Sequence, residues 1–344
     1  MALLTSSRRL GRVRPPLLCA AAACLSGALA CGRGPADEIV VLHTGDAFGY
    51  FDTCGCRSDS TGGLAKRAWV IDSLRRSTDA PILVFDTGDF SGGENEVGAE
   101  MGRTMAEAMK LMAYDALTFG EWDLNHGPAY LRSILEATGA RWVHTNYDVV
   151  GLEDLGDRTL VLERDGRRIG VIGLYNPTIL LAGAVRDSVV VEDIVESARG
   201  AVDDLRGQNV DLVVALSHLS YKGSRALAEF VPGIDVILSG HGGKTLTAPE
   251  EVTPETWVAA AGDLGRWVGR IQVELGGEPV EVEAVGGDLI VMVPSLPNDP
   301  RLDPLFARYE QRRQELVQRE MERAAASRDA APSRASDRRP PESR

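Results

Sequence analysis

Five short apolar runs in this chain each stop at a side chain able to hold a metal ion: VVLHTGD at Asp46, ILVFDTGD at Asp89, ALTFGE at Glu121, LVVALSH at His218 and VILSGH at His241. Each run is rich in Val, Ile and Leu and is followed by Gly or by a break in periodicity. Strands buried on both faces, with helical segments between them, read this way. In an open α/β sheet, ligands collect beyond the carboxyl ends of the strands, so five such ends converge on one site. Two imidazoles and three carboxylates in one cleft suit a borderline-to-hard divalent ion such as Zn, Mn or Fe. One Asp after one strand would mean only a turn; recurrence at five strand ends is what points to a metal.

The 344 residues are 44% hydrophobic and 25% charged, enough material for one large domain or two medium ones. The formal charge of −13 disfavours nucleic acid, and it repels anionic substrates unless the site supplies cations. Residues 1–31 read as an export signal. A basic region with Ser7-Arg8-Arg9 precedes an apolar run over 17–30 that is too short to span a bilayer, and Cys31 follows. Ala28-Leu29-Ala30 fits an ordinary signal peptidase site. The same residues before Cys31 also resemble a bacterial lipobox, with Ala28 where Leu is usual. Lipidation at Cys31 is the preferred expectation, because residues 32–37 then form a tether holding the protein to a membrane of the cell envelope. Arg8-Arg9 matches a twin-arginine export pair, although the positions after it depart from that pattern.

Of the five cysteines, Cys19 and Cys24 fall in the signal and Cys31 at its end, leaving Cys54 and Cys56. A bridge between residues one apart is strained, so no disulfide framework is expected. At the other end, Leu302, Leu305, Phe306, Tyr309, Leu316 and Val317 recur at helical spacing, giving a charged amphipathic helix over 298–325 that offers a surface for contacts with a partner. Residues 326–344 carry no large apolar side chain and are expected to be disordered. The globular body is 38–297.

Within the body, helical patterns cover 63–76, 100–112, 128–138, 192–206 and 220–230. A hairpin is expected where TLVLERDGRRIGVIGLY turns at Asp165-Gly166. Strands at 257–261, 268–275, 280–284 and 289–293 then follow one another through Gly-rich turns without helices. Parallel-type strands early and antiparallel-type strands late give two packed sheets flanked by helices.

VLHTGDAFGYF, GGLAKRA, FDTGDF, FGEWDLNHG, RRIGVIGLYNP, VVALSHLS and DVILSGHGG stand in the order and spacing of the calcineurin-like metallophosphoesterases. Within that family the chain resembles the catalytic domain of the exported 5′-nucleotidases, over roughly 39–293. The resemblance implies an α/β fold, a four-layer α-β-β-α sandwich of two mixed sheets flanked by helices. It implies one or two divalent ions at the strand ends, and hydrolysis of a small phosphorylated molecule by a metal-bound hydroxide. Full-length 5′-nucleotidases grip the nucleotide with a C-terminal domain; here the chain runs into the charged helix instead, so nucleotide specificity is not implied.

Three departures from the family pattern matter. Its Asp-x-His is here Asp46-Ala47-Phe48, its Gly-Asn-His is Gly120-Glu121-Trp122, and its Gly-His-x-His is Gly240-His241-Gly242-Gly243. One metal position keeps Asp89, Glu121, His218 and His241. The other keeps only Asp46 and Asp89, so a single firm ion is the simplest expectation, since two aspartates alone hold a metal weakly. Cys54-Gly55-Cys56, in the loop after Asp46, can rebuild the weaker position with thiolates, or form a redox-sensitive pair. Trp122 stands where the family has a proton-donating His, a loss of about 10²–10⁴ in rate for poor leaving groups. Activated esters and anhydrides should suffer less. His126 is a substitute donor if the loop bends back. Asn146 matches a position that lines the site in the family, and Arg67 in GGLAKRA resembles another family block. His43 is expected to be structural. Three readings stay open: a metal-dependent phosphoesterase, a binding protein on the same scaffold, and a metal or redox protein acting through Cys54 and Cys56.

Overall fold

Neighbouring residues of the first strand face opposite ways and enter different cores. Ile39 and Val41 join one buried cluster, Val40 and Leu42 another. The computed structural model describes residues 37–51, 61–176, 178, 179, 181 and 183–330. The expected signal, Cys31, residues 32–36 of the tether, the Cys54–Cys56 pair and the tail beyond 330 lie outside the described residues.

The strands are β1 (Glu38–Thr44), β2 (Ile82–Asp86), β3 (Ala116–Leu117), β4 (Arg141–Trp142), β5 (Tyr147–Val149), β6 (Leu160–Arg164), β7 (Arg167–Tyr175), β8 (Val189–Val191), β9 (Leu212–His218), β10 (Val236–Ser239), β11 (Glu250–Thr253), β12 (Thr256–Ala259), β13 (Trp267–Gly276) and β14 (Glu281–Val291). The helices are α1 (Leu64–Ser77), α2 (Glu96–Leu111), α3 (Glu121–Leu124), α4 (Pro128–Thr138), α5 (Ile194–Gly207), α6 (Ser220–Phe230) and α7 (Asp303–Ala330).

Two six-stranded sheets form, in the orders β14-β13-β1-β2-β3-β4 and β11-β12-β10-β9-β7-β6, with β5 and β8 as a separate pair. The first sheet is parallel from β1 to β4 and antiparallel from β1 through β13 to β14, whereas the second has a parallel centre and an antiparallel pair at each edge. The inward residues meet in one core, in which Ile39, Val41, Leu83 and Phe85 of the first sheet pack with Val171, Leu212, Val214 and Leu238 of the second. The outward residues are covered by helices. Leu42 and Val84 lie in the cluster that holds Leu64 of α1, Met105 of α2 and Leu131 of α4, whereas Val213, Ala215 and Ile237 lie with Leu205 of α5 and Leu227 of α6. The result is the four-layer α-β-β-α sandwich, each strand feeding two cores because side chains alternate.

Local signals explain the element ends. Pro128 opens α4 and Gly139, at φ 64°, closes it. The hairpin turn falls at Asp165-Gly166, with Arg164 opposite Arg167 and φ of 45° and 81° at the two turn residues. Helix α2 starts before its expected 100, because the Asn95 side chain accepts the Gly98 N–H at 2.8 Å and caps the helix there. The two strands expected at 280–284 and 289–293 are one strand, β14. The glycines read as a turn instead let it pass close to β13, where a Cβ on Gly287 would sit 2.2 Å from the Arg270 carbonyl oxygen. Helix α7 runs past the expected 325 to Ala330 and seats Leu305 and Leu316 in buried positions. Phe51 packs edge-on against Tyr309 at 4.8 Å, joining α7 to the loop after β1.

Candidate metal centre

The parallel strands β1, β2, β9 and β10 end on the same side of the sandwich, and the turns after them carry the polar residues. His218 is the last residue of β9, His241 follows β10 by two residues, and Asp89 follows β2 by three. Glu121 is placed differently: β3 stops at Leu117, and Glu121 opens the short helix α3. Asp46, Asp89 and His241 take left-handed φ of 50°, 57° and 59°, so each side chain turns sharply off its strand axis.

Asp89, Glu121, His218 and His241 form a group whose ligand atoms lie within 4.8 Å of one another. His218 Nε2 is 2.8 Å from Glu121 Oε2 and 3.5 Å from Asp89 Oδ2, and His241 Nδ1 is 3.2 Å from Glu121 Oε1. His218 Nδ1 lies 2.7 Å from the Thr87 carbonyl oxygen, which accepts its proton and leaves Nε2 facing the group. Asp89 Oδ2 is buried and makes no hydrogen bond among the described residues. An unbonded carboxylate oxygen beside two imidazoles and a second carboxylate is the environment a divalent cation satisfies, and the mixed N and O donors fit Zn, Mn or Fe. These residues therefore fit the metal that the family resemblance implies.

The charges confirm how tightly the group is drawn together. Burial pushes the His218 imidazole down, but Asp89 and Glu121 outweigh it and hold the group well above the usual range. The Glu121 hydrogen bond raises His241 as well. Burial disfavours the Glu121 carboxylate, yet the two imidazoles hold it far below the ordinary value. Beneath the group, the buried Asp123 carboxylate accepts the backbone N–H of Asp89, Ser91 and Gly120 at 2.7, 2.9 and 3.0 Å, fixing both loops. Burial and then the Asp89 charge push Asp123 up to about 7.

Asp46 does not join that group. Its Oδ1 accepts the His241 N–H and its Oδ2 the Gly243 N–H, both at 3.0 Å. Residues 241, 242 and 243 all have positive φ, at 59°, 104° and 63°, and so form a concave nest of amides around an anion, here the Asp46 carboxylate. The positions where the family pattern would place histidines, Phe48 and Trp122, pack edge-on with ring centroids 5.3 Å apart.

The remaining expected residues fall as follows. Asn146 is fully buried, and its amide bonds both the N–H and the carbonyl of Tyr175, at 2.8 and 2.9 Å. Arg67 is buried in α1, with its charge acting on Asp86 and Tyr114. His126 lies against Tyr130 at 4.6 Å, half-buried; burial lowers its pKa, and its Nε2 has no partner among the described residues. His43 is buried in β1, and burial lowers it to about 4. Tyr175 was not singled out in the sequence. It stands in register with His218 across β7 and β9, its ring nearly parallel to the imidazole at 6.2 Å, and its buried hydroxyl has no partner among the described residues. The usable signal was that LYNP ends a strand adjacent to the one carrying His218.

No family model matches the sequence. The trifunctional nucleotide phosphoesterase YfkN of Bacillus subtilis is 27% identical over 273 residues, covering 69% of this chain and 18% of that protein. A 2′,3′-cyclic-nucleotide 2′-phosphodiesterase/3′-nucleotidase of Yersinia enterocolitica is 30% identical over 238 residues, covering 59% of this chain and 36% of that protein. Among solved structures, a 5′-nucleotidase precursor from Thermus thermophilus matches with a TM-score of 0.70 at 26% identity, over 82% of this chain and 60% of that one. The chain thus spans well under half the length of these two curated relatives. In sequence and fold the chain is similar to 5′-nucleotidases and nucleotide phosphoesterases, as the order of its motifs suggested.

Proposed function

We propose that this chain is an exported, metal-dependent phosphoric ester hydrolase acting on a small phosphorylated molecule at a single-ion centre made by Asp89, Glu121, His218 and His241. One observation carries the reading: four donors meet around the unbonded Asp89 Oδ2 in a chain whose relatives are nucleotide phosphoesterases. A divalent ion held there supplies Lewis acidity toward a phosphoryl oxygen and acidifies water at neutral pH. The residues themselves set the geometry. The Thr87 carbonyl fixes the His218 ring, Asp123 fixes the backbone of Asp89 and Gly120, and the Trp122 N–H, 2.8 Å from Asp89 Oδ1, orients that carboxylate. With both Asp46 oxygens engaged by backbone amides, a second ion has little to hold it. Export and a lipid on Cys31 rest on the sequence pattern of residues 1–31. No helix of the described residues is long and apolar enough to cross a membrane.

The test is metal analysis of the purified protein followed by a phosphatase screen. About one ion per chain is expected, with hydrolysis of nitrophenyl phosphate falling by about 10²-fold or more in Asp89→Ala. Two firmly held ions, or activity that survives the substitution, would overturn it. A second reading, a protein that holds an ion and a phosphorylated ligand without turnover, is favoured by Trp122 occupying the proton donor's position. An ion retained without hydrolysis of any ester selects it.

A further inference from the structure

Asp89 fixes the backbone of two aromatic residues besides belonging to the candidate ligand group. Its carbonyl oxygen accepts the Phe48 N–H at 2.8 Å, and its Oδ1 accepts the Trp122 N–H at 2.8 Å. The loop after β1 and the start of α3 thereby meet above the end of β2, and Phe48 contacts Trp122 edge-on. Trp122 is 37% exposed although it immediately follows Glu121, and a Cβ built on neighbouring Gly93 would meet only the indole within 4 Å. Phe48 holds a left-handed φ of 50°, a strained conformation for a bulky side chain that persists only where its surroundings impose it. A large apolar surface is thus maintained in solvent within one residue of the candidate metal ligands.

We propose that Phe48 and Trp122 form a binding subsite for a planar aromatic ring carried on the ester oxygen of the substrate, so that the compounds this centre prefers are aryl phosphates. This rests on the phosphoesterase reading of the metal centre. Two independent features favour that class. Rings pair with an exposed indole face or edge better than saturated groups of equal size do. Aryl oxides also depart without a proton more readily than alkoxides, and position 122 carries no titratable group to give one.

The experiment measures binding of methylphosphonate, phenylphosphonate and cyclohexylphosphonate to the zinc- or manganese-loaded full chain by calorimetry. The three share one headgroup, and the last two differ in planarity rather than bulk. Phenyl should bind at least tenfold more tightly than cyclohexyl, about 1.4 kcal/mol, and that ratio should fall to near one in Trp122→Leu, with Phe48→Leu intermediate. A ratio near one in the unsubstituted protein overturns the subsite while methylphosphonate binding upholds the metal centre. A ratio that persists in Trp122→Leu also overturns it. Failure of all three probes to bind removes the centre and the subsite together. A non-hydrolysable adenosine phosphonate binding more tightly than phenylphosphonate to the same metal-loaded chain would replace the aryl class with a nucleoside one.

Discussion

His218 Nε2 lies 2.8 Å from Glu121 Oε2, so in the absence of a cation these candidate ligands hold each other. A metal ion must displace that contact, and with it a proton. Both imidazoles are held above their ordinary range by the neighbouring carboxylates, so each holds a proton more firmly than a free imidazole does. Titrating Zn or Mn into metal-free protein should therefore release protons, and affinity should weaken as the pH falls. Calorimetry in buffers of different ionisation enthalpy reads this directly. Uptake of metal with no proton released would contradict the closed arrangement.

Stability of the metal-free protein should pass through a maximum in mild acid. His218 and His241, raised above the ordinary 6.5, contribute stability that is complete below pH 6.5 and lost as the pH rises through their folded values. Glu121, lowered from 4.5, contributes stability present above pH 4.5 and lost in acid. Burial raises Asp86 to about 6 and Asp123 to about 7, so these two also favour the folded state less as pH climbs from the ordinary 3.8 through those values. The unfolding midpoint should be higher at pH 5.5 than at pH 8, and saturating zinc should reverse that order. A midpoint that rises steadily from pH 5 to 8 without metal would refute the assignment.

Asp46→Asn should weaken the fold and the metal centre together. The substitution keeps size but replaces one acceptor oxygen with an NH2 group and removes the charge from two part-buried hydrogen bonds, to the N–H groups of His241 and Gly243. Hydrogen bonds to charged groups contribute about 1.5–3 kcal/mol each, so a loss of about 2–3 kcal/mol in urea unfolding is expected. Metal affinity should fall with it, because the same amides set the direction of the His241 ring. Unchanged zinc binding alongside lowered stability would separate the two roles.

Tyr175→Phe should leave the unfolding free energy unchanged or raise it by up to about 1 kcal/mol, because the deleted hydroxyl is buried without a partner among the described residues. Asn146→Ala, next to it, should cost about 2–3 kcal/mol, since it strips both hydrogen bonds from the Tyr175 backbone. Urea unfolding of the two variants side by side gives opposite signs if these contacts are as described.

The layering could be read from the chain because it depends on period two. LVVALSH alternates between the inter-sheet core and the helix-covered face, and β1 does the same. Pro128 at a helix start and the Asp165-Gly166 turn between alternating apolar runs were equally plain, as each restricts the backbone in its local setting. Local composition misled at Gly286-Gly287, where two glycines that signal a turn serve a close passage between strands. The approach of Asp89, His218 and His241 follows from strand ends, whereas Glu121 joins them from the first residue of α3, beyond the end of β3. The engagement of Asp46 does not, because it depends on three successive left-handed residues at 241–243 that form an anion nest only in three dimensions. Tyr175 was overlooked for a similar reason: its importance lies in its register against β9, which no single segment records.

Asp46 leaves β1 in one sheet and grips the turn after β10 in the other, while its own carbonyl takes the Leu264 N–H and its N–H reaches the Gly88 carbonyl. One carboxylate thus acts as a rivet through both halves of the sandwich. Shearing one half over the other must first tear out this fastening, so the amide protons of His241 and Gly243 should exchange with solvent only when the whole domain opens, as slowly as those of the central strands.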